Sequence, residues 1–513
     1  MSDNISATID IPKSRFIKPC GMTSDNAPLD PVTIVIFGGG GDLSRRKLIP
    51  TIYHLFKENL LPDDFSVIGF GSPPDGDDVS YRERIVLSIK EFEPGLYEKE
   101  GFDTFLNHVF FEGGYFDDIS KYENLKKRLN SSPGHNVIYY MSVHPSFLPQ
   151  IINNIKSCSL NDTNYNPRIV VEKPFGTDQK SALELNSLLH SCFEENRIFR
   201  IDHYLGKETV QNIIYLRFAN IIFEPLWNRN NIDSVQITVA EDIGVEHRGK
   251  FYEQAGVVRD IVQNHILQLM AFIAMEPPVG FDADAIRDEK VKVFNSIRMM
   301  DDEYVSKNCV QGQYGSGMIG GQKVSGYRDE FRVASDSKTP TFFAAKMFID
   351  NWRWADVPFY VRTGKRLPKR CTEVIICFKR PPLKIFGTAC DDIEQSLLRI
   401  RIQPNEQISF YTNVKYPNDA YRMSRVSMNF DYKDYFKEKN YPPYSRLILD
   451  CLKGDLTLFV REDSIKALWS IVDPIINKLE SSEYTCPNYS AGDWGPVEAD
   501  NMLKRDGRSW YTD

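Results

Sequence analysis

Val32-Thr33-Ile34-Val35-Ile36-Phe37-Gly38-Gly39-Gly40-Gly41-Asp42-Leu43-Ser44 begins with six apolar or β-branched residues and turns at once into four glycines. An apolar run without alternation is what a strand buried on both faces of a parallel sheet requires. The glycines let the backbone turn tightly and approach a pyrophosphate. The helix-like segment after them, reaching about residue 60, presents its unpaired N–H groups to that charge. Strand, glycine turn and helix in this order predict the first half of a dinucleotide-binding unit. The spacing departs from a strict G-x-G-x-x-G, and four glycines also make an ordinary tight turn, so the strand–turn–helix context carries the reading.

Outward from this stretch, 66–70, Asn136–Met141 and Arg168–Val171 read as further buried strands. The last of them runs into Glu172-Lys173-Pro174-Phe175-Gly176. Ligands of an open α/β sheet bind beyond the carboxyl ends of its strands, which places Lys173 at such an end; a solvated turn lysine is the alternative. Past about residue 234 the pattern changes, with strand-like runs at 235–239, 374–378, 398–402 and 456–459 among helices without βα alternation. That is the texture of an α+β domain with a mixed or antiparallel sheet. The expected division is a flexible arm over 1–31, a dinucleotide-binding domain over 32–201 and a larger α+β domain over 202–513.

Composition narrows the class. A chain of 513 residues with 42% hydrophobic and 26% charged residues and a net charge of −8 is ordinary for a globular protein and gives no nucleic-acid footprint. No apolar run reaches a membrane span, and the first thirty residues lack a signal-peptide core. Nine scattered cysteines, with no CxxC pair, predict reduced thiols in the cytoplasm rather than disulfides or zinc.

Two segments carry chemistry. Arg200-Ile201-Asp202-His203-Tyr204-Leu205-Gly206-Lys207-Glu208 packs a carboxylate, an imidazole, a phenol and an ammonium ahead of an amphipathic run with Val210, Ile213, Ile214, Phe218, Ile221 and Ile222 on one helical face. A helix start favours anions, so His203, Tyr204 and Lys207 there suit a phosphate; an ordinary solvated cap remains the other reading. In Arg259-Asp260-Ile261-Val262-Gln263-Asn264-His265 the histidine lies on the apolar stripe of a helix expected over about 256–275. A satisfied core histidine and a catalytic base both fit that placement. On an α-helical wheel Asp260 falls well away from His265.

The nonapeptide at 200–208, the E-K-P-F-G turn at 172–176 and the 259–265 segment together resemble the glucose-6-phosphate dehydrogenase family. Gly38, Gly41, Asp42 and Leu43 match its G-x-x-G-D-L turn, and the bacterial-type ending is similar to Ala491-Gly492-Asp493-Trp494-Gly495-Pro496, so the resemblance covers about 32–511. It implies a Rossmann-type domain plus a mostly antiparallel sheet supporting a homodimer or homotetramer. The implied reaction is oxidation of β-D-glucose 6-phosphate to the 6-phosphogluconolactone, the first oxidative step of the pentose phosphate pathway, with hydride transfer to NADP and no metal. By the same resemblance His265 is the base, Asp202 its orienting partner, and Lys173 a contact to substrate and cofactor. Glu241 and Asp260 hold sugar hydroxyls, while Lys365 and Arg370 meet the phosphate or sugar.

Departures from the family pattern bear on the cofactor. NADP-using relatives close the second strand with an arginine that grips the 2′-phosphate, where this chain has Ser72. Asp75, Asp77 and Asp78 follow, and Arg45, Arg46 and Lys47 on the first helix are the expected compensation. Weaker NADP preference than the family norm, with NAD or dual use, is the expectation. Some relatives bind a second, structural NADP, but Cys371 replaces a lysine used there. His144, where relatives carry proline, reads as a loop histidine near the nicotinamide end. The competing readings are an oxidoreductase for another sugar or sugar phosphate, and a catalytically silent assembly subunit.

Overall fold

The computed structural model describes residues 29–73, 76–132, 136–383, 385, 393–418, 422–435 and 442–512; the expected arm at 1–28 and Asp75 lie outside them. β1 (Val32–Phe37) is buried at every position, as its unbroken apolar run requires. It pairs in parallel with β2 (Phe65–Gly71) on one side and β4 (Asn136–Met141) on the other. With β3 (Val109–Gly113), β5 (Arg168–Val171) and β6 (Ile198–Arg200) the sheet runs β3-β2-β1-β4-β5-β6, all parallel. The strand order reverses between β1 and β4, which opens a crevice at their carboxyl ends.

The second sheet contains β7 (Ile232–Ala240), β8 (Cys309–Gly312), β9 (Phe342–Met347), β10 (Phe359–Gly364), β11 (Cys371–Phe378), β12 (Leu397–Gln403), β13 (Gln407–Lys415) and β14 (Met423–Asp431). Its order is β14-β13-β12-β11-β7-β10-β9-β8, and every pairing is antiparallel except β10 with β7. The fold is thus a Rossmann-like parallel sheet joined to a larger, mostly antiparallel one. Strands β7 and β9–β12 are almost wholly buried, whereas β13 and β14 leave Val414, Val426 and Met428 exposed.

Late segments of the chain return to the first sheet. The Pro443–Lys453 helix sets Leu447, Ile448 and Cys451 against Ile34, Ile36, Ile138, Tyr140 and Val170. Arg168 ties it down by donating Nη1 to the carbonyls of Cys451 (2.6 Å) and Leu452 (2.7 Å). The following Glu462–Ser481 helix donates Trp469 Nε1 to the Phe175 carbonyl at 2.8 Å.

Two expectations are corrected. Residues 456–459 form a turn, not a strand; the run is apolar because Phe459 packs on Phe199 of β6, centroids 4.8 Å apart, while Val460 N donates to the Arg200 carbonyl. The Glu208–Phe218 helix ends before Ile221 and Ile222, which are exposed, so its apolar face consists of Val210, Ile213 and Ile214 with Phe218 partly covered. Among the described residues no helix is long and apolar enough to cross a membrane.

Candidate active site

Three strand ends and one helix converge. Lys173 follows β5, Asp202 follows β6 and Glu241 follows β7, while His265 rides on a helix packed on β7 and β10. That helix starts after Gly256, whose φ of 62° and ψ of 174° interrupt the Gly249–Val257 helix. From Val258 to Ile266 it is wound as a π-helix, then continues as α-helix over Leu267–Ala274. In i→i+5 winding, residues five apart stack over one another. Asp260 and His265 therefore share a face, against the α-helical wheel that set them apart.

Lys173 shows the result. Its Nζ lies 2.8 Å from His265 Nε2, 2.9 Å from the Asp260 carbonyl and 3.3 Å from Asp260 Oδ1. On the other side of the ring, His265 Nδ1 meets Asp202 Oδ1 at 2.6 Å. A carboxylate only accepts and an ammonium only donates, so the neutral ring carries its proton on Nδ1 and turns a lone pair outward on Nε2. Asp202 Oδ1 also accepts from Tyr204 N at 2.9 Å, which fixes the carboxylate within its own turn.

Burial and charge set the protonation states. His265 is 1% exposed and Asp202 2%. Burial pushes the His265 ring below its ordinary 6.5, Asp202 opposes this and Lys173 adds to it. For Asp202 burial alone would raise the carboxyl, but His265, His203 and Lys173 outweigh it and hold it well below the carboxylate range. Asp260 follows the same pattern, with Lys173, Lys365 and Arg248 overcoming burial. The His265 ring is neutral and Asp202 charged near neutral pH.

On one flank lies a basic end. Tyr204 stacks on His265 with centroids 4.0 Å apart, and its hydroxyl is 3.3 Å from Thr372 Oγ1. Lys207 Nζ sits 4.3 Å over the Tyr204 ring and donates to Gln403 Oε1 at 2.5 Å. Burial and the Arg370 cation bring the Lys207 ammonium down to about 8. Two cations crowded in this way favour a dianion between them. His203 joins this end, its ring 4.7 Å from His265 and held neutral by burial and by the charge of its neighbours. Arg370 itself is exposed.

On the opposite flank Lys365 Nζ donates to Glu241 Oε2 at 2.6 Å and lies 5.1 Å over the Tyr252 ring. With Asp260 these groups alternate donors and acceptors, which suits a ring of hydroxyls. Thr372, Gln403 and Tyr252 were not singled out by the sequence, because lone polar residues on strands and helices carry no spacing signal. Nor was Glu172, which follows β5 and accepts from Tyr140 at 2.6 Å.

The glycine turn fits a dinucleotide. Gly38 has a φ of 81°, and a Cβ there would come within 2.3 Å of the Ser142 carbonyl. Gly41 N closes the turn onto Gly38 O at 2.8 Å, and the helix begins at Asp42. Leu43 packs on the core, while Asp42 pairs with Arg46 at 3.7 Å. Lys47 and Ser72 are exposed. A cleft of about 510 Å³ reaches from Lys173, Asp260 and Asn264 to His144 and Pro145. His144 is a local cap, its Nδ1 2.9 Å from Ser146 Oγ and accepting from Ser146 N. Asp202, His203 and His265 also offer ligand atoms within 4.8 Å of one another. The Lys173 ammonium against Nε2 opposes a second cation there.

Residues 35–212 match the family model "Glucose-6-phosphate dehydrogenase, NAD binding domain", and 214–511 match its C-terminal domain. A glucose-6-phosphate 1-dehydrogenase of Aggregatibacter actinomycetemcomitans is 44% identical over 483 residues, 93% of this chain and 96% of the relative. That of Bacillus subtilis is 40% identical over 484 residues, 93% and 98%. A solved glucose-6-phosphate dehydrogenase in complex with its substrate superposes with a TM-score of 0.86 at 34% identity, covering 95% of this chain and 100% of that one.

Proposed function

This chain belongs to the glucose-6-phosphate dehydrogenase family and is an oxidoreductase acting on glucose 6-phosphate; we propose that His265 is the base of that reaction and Asp202 the group that orients it. The observation that carries this is the fixed tautomer: Nδ1–H on a buried carboxylate leaves Nε2 as the acceptor. The hexose lies with its phosphate among Tyr204, Lys207, His203 and Arg370 and its hydroxyls toward Glu241, Asp260 and Lys365. Its O1–H replaces Lys173 at Nε2, and Lys173 then donates to the sugar and the cofactor. As the C1–H hydride leaves, the O1 proton passes to Nε2 and C1=O forms, giving the 1,5-lactone. Asp202 stabilises the imidazolium that results. Gly38–Gly41, Asp42 and Leu43 hold the dinucleotide, whose nicotinamide accepts the hydride when bound.

The test is turnover followed at 340 nm. His265→Ala is expected to lower kcat by about 10²- to 10⁴-fold with modest change in substrate binding; near-normal turnover excludes the role. Wild-type enzyme should use free glucose at least about a hundredfold less efficiently than glucose 6-phosphate, since charge-assisted contacts to the phosphate are lost. Equal efficiency would favour an oxidoreductase for another sugar. Ser72 in place of an arginine supports use of both NADP and NAD, and a thousandfold NADP preference would overturn dual use. The exposed Val414, Val426 and Met428 on the outermost strands support a homodimer through this sheet. Light scattering should give a multiple of 59.1 kDa.

A further inference from the structure

At the start of the crevice, beside the glycine turn, lies a cation that no sequence motif singles out. Arg84, on the Asp78–Phe92 helix, donates Nη2 to the Gly40 carbonyl at 3.3 Å. A Cβ built on Gly40 would stand 2.6 Å from the Ser72 carbonyl and 3.0 and 3.5 Å from Arg84 Nη2 and Nη1. The guanidinium thus lies against the turn, and the carbonyl of the residue that follows β2 borders the same point of the Gly40 backbone. In a doubly wound sheet this is where the ribose 2′ position is read, by a carboxylate for a hydroxyl or by an arginine for a phosphate. Ser72 brings neither charge.

Most of the charged groups around it are engaged elsewhere. Asp77 caps its helix by accepting from Ser80 N at 2.8 Å. Asp78 accepts from Phe111 N at 2.6 Å and faces Arg128 at 3.6 Å, so both carboxylates are engaged locally, one in a helix cap and one with a strand N–H and a cation. Of the cations expected to compensate, Arg45 bonds Ser88 and pairs with Glu91, and Arg46 pairs with Asp42; Lys47 is exposed, with no partner among the described residues. Arg82, two residues before Arg84, donates to the Val109 carbonyl. Arg84 forms no ion pair among the described residues, and most of its five N–H donors remain for a ligand.

We propose that Arg84 reads the 2′-phosphate of NADP, supplying from the helix after β2 the guanidinium that NADP-using relatives carry at the position of Ser72. The proposal rests on reading the chain as a nicotinamide-dependent dehydrogenase, and it deepens that reading. NADP, NAD and adenosine 2′,5′-bisphosphate are titrated calorimetrically into wild type, Arg84→Met and Arg84→Lys, and kcat/KM is measured for both dinucleotides. Arg84→Met is expected to weaken NADP and the bisphosphate about 10- to 100-fold, the range of a charge-assisted contact, and to leave NAD within about twofold. Arg84→Lys should recover part of the loss, since it keeps the charge without the fork. NADP affinity unchanged in Arg84→Met overturns the proposal. So does equal weakening of both dinucleotides, which would make Arg84 a prop for the Gly40 turn. Should Arg84→Met fail to fold, Arg84→Lys decides by the same criterion: selective weakening of NADP supports the proposal and equal weakening removes it. Failure of the wider reading looks different, with Arg84-dependent NADP binding but no oxidation of glucose 6-phosphate by either dinucleotide.

Discussion

The proton on the His265 ring has one place to sit, between Nδ1 and an acceptor-only carboxylate, and this makes its titration a direct readout of Asp202. Burial lowers the ring below 6.5 and Asp202 partly restores it. The neutral, active form therefore persists as pH falls to 6.5, and kcat/KM declines only below that. In Asp202→Asn the restoring charge is gone, so the acid limb is expected to move to still lower pH. The plateau kcat should drop by about 10²- to 10⁴-fold as the tautomer is lost. A pH profile showing an unmoved limb would assign Asp202 a packing role. Lys207, proposed as a phosphate contact, should act differently, because such a handle binds ground and transition states alike. Lys207→Ala should raise KM by on the order of 10- to 100-fold with little change in kcat, in steady-state assays. Asp202, His265, Lys173 and Lys207 were legible because each sits in a short motif of mixed chemistry. Gln403 and Thr372, which meet Lys207 and Tyr204 from β12 and β11, were not, since contacts some 170 to 200 positions apart leave no local trace.

At the scale of elements, the helix bearing His265 depends on how it begins. Gly256 holds a backbone conformation almost confined to glycine, yet a Cβ there would find its nearest neighbour, Thr339 Cγ2, at 3.7 Å. The cost of Gly256→Ala is thus backbone strain without a clash, about 1–3 kcal/mol, measurable as a lower denaturant midpoint. Val32–Phe37, Asn136–Met141 and Arg168–Val171 were legible residue for residue, because strands buried on both faces are written as unbroken apolar runs. The π-winding of Val258–Ile266 was not, since its apolar spacing also fits an α-helix. The turn at 456–459 was misread for a related reason: three buried apolar residues, Leu456, Leu458 and Phe459, look alike in a strand and in a turn packed on one.

For the molecule as a whole, chain order and spatial order part company. The face of the first sheet formed by Ile34, Ile36, Ile138, Tyr140 and Val170 is covered by a helix that arrives some 300 residues later. A fragment comprising 29–201 is expected to expose that face, bind a hydrophobic dye and show no cooperative unfolding transition by circular dichroism. A soluble, two-state fragment would show that the helix is dispensable. Alternation of strands and helices disclosed the first sheet and its loss past about residue 234 the second, but nothing in the sequence shows which late helix caps which early face.

On the proposed reading, Lys173 against Nε2 acts as a latch on the His265 ring. Until a hydroxyl takes that place, the lone pair is engaged by a cation, and the ring resists picking up a stray proton from solvent. A hexose phosphate lacking its anomeric oxygen can therefore anchor by its charged end yet has nothing with which to spring the latch, so docking and activation are separate events.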